Sequence, residues 1–264
     1  MSFSQPRNLV KEKLARNELV LSMAVRIVTA PAIAPLAATA GYDSLYIDLE
    51  HSPLSLQAMS DICIAAMAAD VTPFVRVPSI GSGLVSRVLD GGALGIIAPH
   101  VESAEAAREL VRMVKFPPHG NRSEGGPMPH FGYRNPSVPE THRMLNDATS
   151  VIIMVESGTA LEKLDELASV PGVDILFIGS NDLCADLGIT GQFDHPVLLK
   201  AFEDTIAACR RHGKHAGIGG LASRPDLMAR TIDLGGRYVS VGADLSFLAT
   251  EARRSAELIR DQAV

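Results

Sequence analysis

The sequence lacks the features that mark several classes of protein. It has only three cysteines, Cys63, Cys184 and Cys209, and their separations do not match the paired spacing of zinc sites. An odd number of cysteines, in a chain whose start lacks the apolar core of a secretion signal, leads us to expect reduced thiols and a cytoplasmic location. No apolar run reaches the ~18 residues of a membrane helix, so we expect no association with a membrane.

Positive charge is also scarce. The 264 residues include 24 lysines and arginines against 30 aspartates and glutamates, which gives a formal net charge of −6. No basic stripe is present, so we expect no nucleic-acid partner. The hydrophobic fraction of 47% and the charged fraction of 20% are typical of a globular protein that acts on small molecules or other proteins.

Short apolar runs recur along the chain, and helical patterns separate most of them. Most of the runs are continuously apolar rather than alternating, which is typical of strands buried on both faces of a parallel sheet. The predicted strands cover 19–25, 44–49, 73–77, 94–98, 151–155, 174–178, 215–219 and 237–241. The predicted helices cover 54–69, 81–90, 103–115, 158–169, 196–212, 223–234 and 244–261, with a polar helical stretch near 138–148.

Eight strands alternating with helices in a chain of this length predict a (β/α)8 barrel, formed by one domain over residues 1–264. The alternative is a doubly wound open sheet, which usually has fewer strands. No Gly-x-Gly-x-x-Gly follows the first strand, so a dinucleotide-binding sheet is not favoured. The connection over 99–150 is unusually long and rich in glycine and proline, which is typical of lids, binding loops or subunit contacts.

Polar residues follow several of the predicted strands directly. In a barrel, chemistry takes place at the carboxyl ends of the strands, so these residues are expected around one rim. At the ends of the strands they are Asp48, Glu50 and His51 for the second strand, Arg76 for the third, His100 for the fourth, Glu156 for the fifth, and Gly179, Ser180, Asn181 and Asp182 for the sixth.

Glu156 and Asp182 are the candidate metal ligands. Two carboxylates with open remaining positions suit a hard cation such as Mg²⁺ or Mn²⁺. The alternative is that both acids cap helices, since each precedes a helical pattern. Gly179 permits close backbone approach, and the N–H groups from Gly179 to Asn181 are placed to receive a carboxylate.

Arg76 interrupts an apolar strand, so its guanidinium group needs an anionic partner. That partner is either a structural acid, Asp48 or Glu50, or an oxygen of the substrate. His51 is a candidate general base because histidine titrates near neutral pH, and Asp90 is a candidate to orient it. The alternative for His51 is an ordinary surface histidine, and the alternative of a plain loop residue is favoured for His100.

Several segments together resemble the HpcH/HpaI family of metal-dependent class II pyruvate aldolases. The stretch Tyr-Ile-Asp-Leu-Glu-His-Ser-Pro is similar to the family signature Asp-x-Glu-His-[Ala/Ser/Gly]-Pro. The other matching segments, in the family's order, lie at 73–78, 88–101, 116–122, 154–157 and 177–188. The resemblance covers residues from about 19 to 250.

This resemblance implies a (β/α)8 barrel in a hexameric trimer of dimers, with the C-terminal helix used in subunit contacts. It implies reversible cleavage of a 4-hydroxy-2-oxoacid to pyruvate, or a related 2-oxoacid, and an aldehyde. The cofactor would be Mg²⁺, Mn²⁺ or Co²⁺, and the partners would be the small-molecule substrates. The implied roles are metal binding by Glu156 and Asp182, enolate stabilisation by Arg76, base catalysis by His51 with Asp90, ordering of water by Asp48 and Glu50, and substrate binding by Gly179, Ser180 and Asn181.

The chain also departs from the family pattern. It has no tryptophan near the end of the first strand, where many members carry one, and Arg26 is a distinctive addition there. A bulky aliphatic residue is common after the seventh strand, whereas this chain has Gly219 and Gly220. We therefore expect Arg26 and Gly219 to line the acceptor pocket, with Gly219 widening it and Arg26 receiving an acidic or phosphorylated acceptor.

Three functions remain open from the sequence. The first is the aldolase, which the absence of a lysine at a strand end favours over an imine mechanism. The second is oxaloacetate decarboxylation or a citrate-lyase-like reaction at the same enolate site, although no basic groove for coenzyme A is present. The third is a catalytically silent oxoacid-binding protein, which the complete set of candidate residues disfavours.

Overall fold

Eight parallel strands close into a barrel in which neighbours in the sequence are neighbours in the sheet. A computed structural model describes residues 5–262. The strands are β1 (Val20–Val25), β2 (Ser44–Asp48), β3 (Thr72–Arg76), β4 (Gly95–Ala98), β5 (Ser150–Val155), β6 (Ile175–Gly179), β7 (His215–Gly219) and β8 (Tyr238–Ala243). β1 pairs with both β2 and β8, which closes the sheet. The prediction of a (β/α)8 barrel is confirmed, and each predicted strand is present within a few residues of its bounds.

Helices cover the outside of the barrel. They are α1 (Leu9–Ala15), α2 (Ile33–Thr39), α3 (Leu56–Ala68), α4 (Val85–Asp90), α5 (Ala104–Val114), α6 (Val138–Ala148), α7 (Gly158–Glu162), α8 (Leu164–Ser169), α9 (Ser180–Asp186), α10 (Pro196–Arg211), α11 (Pro225–Leu234) and α12 (Asp244–Gln262). The continuous helix predicted over 158–169 was wrong, because the chain breaks at Lys163 between α7 and α8. The sequence did not predict α1, α2 or α9, which have only seven residues each.

An aromatic layer fills the barrel interior beneath the carboxyl ends of the strands. Phe177 packs edge-on against Tyr46 and Tyr238, with ring centroids 5.9 and 5.8 Å apart, and Phe74 packs against Tyr238. Helix α1 closes the opposite end of the barrel, since its cap Asn8 donates a hydrogen bond of 2.7 Å to the carbonyl of Ala148. Helix α1 therefore covers the amino-terminal ends of the strands, and the candidate residues lie at the other end.

The long connection over 99–150 is ordered by a buried cation. It contains α5, a 3-10 turn over Pro129–Phe131 and α6. The Lys115 ammonium donates 2.7 Å hydrogen bonds to the carbonyls of Asn146 and Thr149 at the end of α6, and burial lowers its pKa to about 8. These bonds satisfy carbonyls that a helix end leaves without partners.

The last helix, α12, is the least buried of the longer elements. Among its described residues only Asp244 is buried. Large apolar side chains are exposed along it, namely Leu245, Phe247, Leu248, Leu258 and Ile259. No helix within residues 5–262 is long and apolar enough to cross a membrane.

Candidate active site

The second and third strands place an aspartate and an arginine side by side at the rim. Asp48 is the last residue of β2 and Arg76 the last of β3, and the two are partners in the strand register. The Arg76 Nε and Nη2 atoms donate to the two oxygens of Asp48 at 2.9 and 2.6 Å. Both side chains are almost completely buried, so this is a desolvated, two-pronged ion pair.

The ion pair fixes the charge state of both residues. Burial alone would raise the pKa of Asp48, but the Arg76 hydrogen bonds and charge outweigh it and hold the pKa below its usual value. Burial alone would lower the pKa of Arg76, but the hydrogen bonds and the charge of Asp48 raise it above its usual value. Both structural acids that the sequence offers as partners, Asp48 and Glu50, pair with Arg76.

Asp48 also organises the loop that follows it. Its Oδ1 accepts hydrogen bonds from the backbone N–H groups of Glu50 and His51, at 3.0 and 3.2 Å. Its Oδ2 accepts a 2.9 Å bond from Nε of Arg26. One buried carboxylate therefore orients two arginines and the backbone that carries Glu50 and His51.

Glu50 and Glu156 lie on either side of His100. The His100 Nδ1 atom is 3.0 Å from Oε1 of Glu156, and its Nε2 atom is 3.3 Å from Oε1 of Glu50. Glu50 also forms an ion pair with Nη1 of Arg76 at 2.8 Å. His100 was treated above as a plain loop residue, yet it bridges two acids of the site from a left-handed backbone conformation, φ 58°.

Glu156 is buried, and its carboxylate does not cap a helix. Its Oε1 accepts a 2.8 Å hydrogen bond from the backbone N–H of His100, whereas the cap of α7 is the Ser157 side chain. Burial raises the pKa of Glu156, and the negative charges of Asp182 and Glu50 add to the effect. Asp182 lies exposed in the first turn of α9, whose N-cap is Gly179 and not an acid. Neither carboxylate is the N-cap of its helix, although Asp182 in the first turn of α9 occupies a position where an acid is favoured.

The donor set around Glu156 suits a hard cation that keeps other ligands. Within residues 5–262 no cluster of three or more His, Cys, Asp or Glu side chains is arranged to hold a metal. Glu156 and Asp182 lie close enough for their charges to interact, and the buried Oε2 of Glu50 nearby lies 2.8 Å from Nη1 of Arg76. Two carboxylates plus water and substrate oxygens are the usual ligands of Mg²⁺.

A cleft of about 400 Å³ opens beside these groups. The residues lining it include Arg26, Arg76, Gly179, Ser180, Asn181, Asp182, Gly219, Ser223, Ser240 and Ser246. The Ser180 hydroxyl donates to the carbonyl of Gly219 at 2.7 Å, so it holds β6 against β7. The cleft brings together residues more than two hundred positions apart.

Gly219 makes room for an aromatic ring. A Cβ atom at this position would lie 2.5 Å from Cζ of Phe177, which is too close for any side chain. We expected Gly219 to widen the pocket. It does line the cleft, but part of the space that a side chain would fill is occupied by Phe177.

His51 and Asp90 are not joined within one chain. The His51 side chain is 59% exposed, and its Nε2 atom lies 3.7 Å from Oε2 of Glu50. Asp90 accepts a 2.7 Å hydrogen bond from Nη2 of Arg122, whose side chain is buried. Neither an ion pair nor a hydrogen bond connects His51 with Asp90 in the part of the chain that the structure describes.

Comparison with known proteins gives consistent matches over nearly the full length. The family described as HpcH/HpaI aldolase/citrate lyase matches residues 27–250. The 4-hydroxy-4-methyl-2-oxoglutarate aldolase tasA of Hapsidospora irregularis is 42% identical, covering 94% of this chain and 93% of the relative. The hydroxypyruvate/pyruvate aldolase of Roseovarius nubinhibens is 36% identical, covering 95% and 96%. A solved HpcH/HpaI aldolase from Desulfitobacterium hafniense is 30% identical with a TM-score of 0.91, covering 96% of this chain and 97% of that one.

Proposed function

Because this chain belongs to the HpcH/HpaI aldolase/citrate lyase family and is a carbon–carbon lyase, we propose that it reversibly cleaves a 4-hydroxy-2-oxoacid. The products are pyruvate, or a related 2-oxoacid, and a second carbonyl compound. The observation that carries this proposal is the Arg76 guanidinium group, which Asp48 and Glu50 hold at the edge of the cleft, near the acids Glu156 and Asp182.

Arg76 is suited to stabilise an enolate. Cleavage breaks the C3–C4 bond, and its electron pair stays on the three-carbon fragment, so negative charge develops on the keto oxygen. The guanidinium group is already oriented by two acids, so it need not reorganise during the reaction. It therefore stabilises the transition state more than the neutral keto group of the substrate.

Glu156 and Asp182 are the residues that would hold a divalent cation. Their carboxylates fit Mg²⁺, Mn²⁺ or Co²⁺, and neither is used as a helix cap. A bound cation would supply a Lewis acid at the keto and carboxylate oxygens of the oxoacid. We assign the support of this site to Asp48 and Glu50, and the binding of the substrate carboxylate to the backbone from Gly179 to Asn181.

His51 is the proposed base. It takes the proton of the C4 hydroxyl, directly or through a water, as the C4 carbonyl forms and the enolate leaves. The enolate then takes a proton at C3 to give the 2-oxoacid. The side chain is exposed at the rim and can exchange its proton with solvent between turnovers.

We propose that α12 packs on another subunit in a hexameric assembly. Its exposed side chains, Leu245, Leu248, Leu258 and Ile259, form an apolar surface that a lone chain leaves in water. Mass measurement by light scattering is the test, with Leu248→Glu and Ile259→Glu expected to reduce the assembly. A wild-type monomer would refute the proposal.

The cytoplasm is the proposed location. Cys63, Cys184 and Cys209 are all free and buried, so no disulfide involving them stabilises the fold. Fractionation of the cells that produce the protein is the measurement, and recovery from a secreted or membrane fraction would refute it.

The test of the function is release of pyruvate under defined metal. Purified protein is stripped with a chelator and refilled with Mg²⁺, Mn²⁺ or Co²⁺, then offered a panel of 4-hydroxy-2-oxoacids and, separately, oxaloacetate. We expect metal-dependent pyruvate release from at least one hydroxy acid. Release from oxaloacetate alone would make decarboxylation the reaction, and release from neither would refute the enolate site.

A further inference from the structure

Arg26 is held more firmly than a half-exposed arginine usually is. Both oxygens of the buried Asp244 accept hydrogen bonds from the loop after β1, with Oδ1 at 2.9 Å from the Arg26 N–H. Asp244 Oδ2 accepts from Ile27 and Val28 at 3.0 and 2.8 Å. The backbone that presents Arg26 is therefore fixed by an acid at the start of α12.

The guanidinium group of Arg26 is fixed at one nitrogen only. Its Nε donates to Oδ2 of Asp48, and its side chain is 40% exposed where it lines the cleft. In the described part of the chain, the hydrogen bonds found for this side chain use Nε alone. The two terminal nitrogens of this cleft-lining residue therefore keep N–H groups available to donate.

The negative charge at the rim indicates which kind of ligand the terminal N–H groups of Arg26 would bind. Four acids surround the site, Asp48, Glu50, Glu156 and Asp182, while Arg76 is the other guanidinium group beside them. Without Arg26, these four acids, Arg76 and the divalent cation of the proposed function would together leave a net negative charge. An anionic molecule entering beside them would be repelled unless a cation receives it.

From these observations, and on the basis of the proposed function, we propose that Arg26 binds a carboxylate on the carbonyl compound that combines with the enolate. Arg26 and Arg76 share one oxygen of Asp48, so the two guanidinium groups are close neighbours. A carboxylate on Arg26 must therefore lie near the reacting carbonyl carbon. The preferred acceptor is a short 2-oxoacid and not a neutral aldehyde.

The cleft wall supports a small polar acceptor. Ser223, Ser240 and Ser246 line it together with Gly219 and Gly220, and the Ser246 hydroxyl donates a 2.8 Å hydrogen bond to the carbonyl of Ala243. The ring of Phe177 fills the space beside Gly219, so a long chain has little room there. In the synthetic direction the enolate carbon attacks the acceptor carbonyl, which takes a proton and becomes the C4 hydroxyl, while the carboxylate stays on Arg26.

The experiment compares matched acceptors in the synthetic direction. Pyruvate is the donor, and glyoxylate, glycolaldehyde and glycolaldehyde phosphate are the acceptors. The variants are Arg26→Ala, Arg26→Lys and, as a control that also removes one positive charge, Arg211→Ala on the outer surface of α10, where Arg211 pairs with Asp165. Exchange of the C3 protons of pyruvate in D2O, without acceptor, reports the enolate half separately.

We expect wild-type protein to prefer glyoxylate. Arg26→Ala should lower kcat/KM for glyoxylate by roughly 10- to 100-fold, the usual effect of losing hydrogen bonds to a charged group. The glycolaldehyde reaction and pyruvate proton exchange should stay within about threefold of wild type, as for the surface control. Arg26→Lys should retain part of the preference because it keeps the charge and loses the planar fork.

Three results would overturn the proposal. Equal losses for glyoxylate and glycolaldehyde, with slower proton exchange, would show that Arg26 only supports Arg76 through Asp48. A wild-type preference for glycolaldehyde phosphate would make the ligand a phosphate. Equal use of all acceptors by the wild-type protein would show that Arg26 does not select the acceptor. Absence of pyruvate proton exchange in wild-type protein is a separate result, which contradicts the proposed function itself.

Discussion

Asp48 and Arg76 end adjacent strands in register and form a buried ion pair through two hydrogen bonds. The pair stands at the centre of the site, because the same aspartate also orients Arg26 and the backbone of Glu50 and His51. Removing one partner would leave the other charge buried with fewer partners, and this has measurable consequences.

Asp48→Ala is expected to destabilise the protein by about 3–5 kcal/mol, because it leaves Arg76 buried with Glu50 as its remaining acid. The measurement is the free energy of unfolding in urea. Asp165→Ala is the control, since this exposed acid pairs with Arg211 on the surface and should contribute less than about 1 kcal/mol. An Asp48→Ala variant as stable as the control would contradict the central role of this pair.

Glu156→Gln combined with Asp182→Asn is expected to abolish binding of Mn²⁺ and lower activity by more than about 100-fold, since even indirect partners of metal ligands contribute roughly 10- to 100-fold. Titration calorimetry measures the binding, and circular dichroism checks the fold. Glu162→Gln, an exposed acid on α7, is the matched control. Mn²⁺ binding of wild-type strength by the double variant would rule out these two ligands.

His51 and Asp90 are expected to act together across a subunit boundary, because within one chain Asp90 pairs with Arg122 and not with His51. His51→Ala and Asp90→Asn should each be nearly inactive. Mixing the two variants under conditions that exchange subunits should restore part of the activity, because some sites then receive both native residues. The assay is pyruvate release before and after mixing.

The mixing experiment has an internal control. A preparation of the double variant His51→Ala, Asp90→Asn mixed with either single variant should regain nothing. Full activity of Asp90→Asn alone would show that His51 works without Asp90.

Gly219→Ala is expected to destabilise the protein by about 1–3 kcal/mol and to lower activity, because its Cβ would lie 2.5 Å from the ring of Phe177. Adding Phe177→Leu in the same chain should recover part of the loss, since the smaller side chain vacates the contact. A double-mutant cycle in urea measures the coupling. Simple additivity of the two substitutions would mean that the ring does not occupy this space.

His130 is expected to make stability depend on pH. Burial lowers its pKa to about 4 from the ordinary value of 6.5, so the folded state binds this proton less readily than the unfolded state. The stability it contributes is complete above about pH 6.5 and is lost as the pH falls towards 4. Between pH 7.5 and 5.0 the loss from this residue is about 2 kcal/mol.

The pH prediction is tested by comparison with His130→Gln. Urea unfolding of both proteins at pH 7.5 and 5.0 separates this histidine from the other titrating groups, because those are common to both. The wild-type protein should lose about 2 kcal/mol more than the variant. Parallel losses would show that the histidine is already protonated, or solvated, in the folded state.

The barrel and most of its rim were predictable from local sequence. Short continuous apolar runs that alternate with helical patterns favour strands buried on both faces, and parallel strands place their following residues at one edge. For that reason Asp48, Arg76, Glu156 and Asp182 could be assigned to one site although they lie in different segments. The family was equally predictable, since its motifs occur in order along the chain.

The short helices were less predictable. With seven residues each, α1, α2 and α9 present too few turns for a clear apolar period, and tertiary packing stabilises them. The break at Lys163, where φ is −113° and ψ is 20°, was missed because no glycine or proline marks it in the sequence.

The barrel, the family and the set of residues at the strand ends can be inferred from the chain alone, because these follow from periodicity and from residue types at fixed positions. The partners of those residues become known only from the folded protein. In the folded protein His100 lies between Glu50 and Glu156, Asp90 accepts a hydrogen bond from Arg122, and the ring of Phe177 packs against Gly219. Such contacts join side chains from distant segments, and their geometry depends on strand register and on the volume each neighbour fills, which no local pattern encodes.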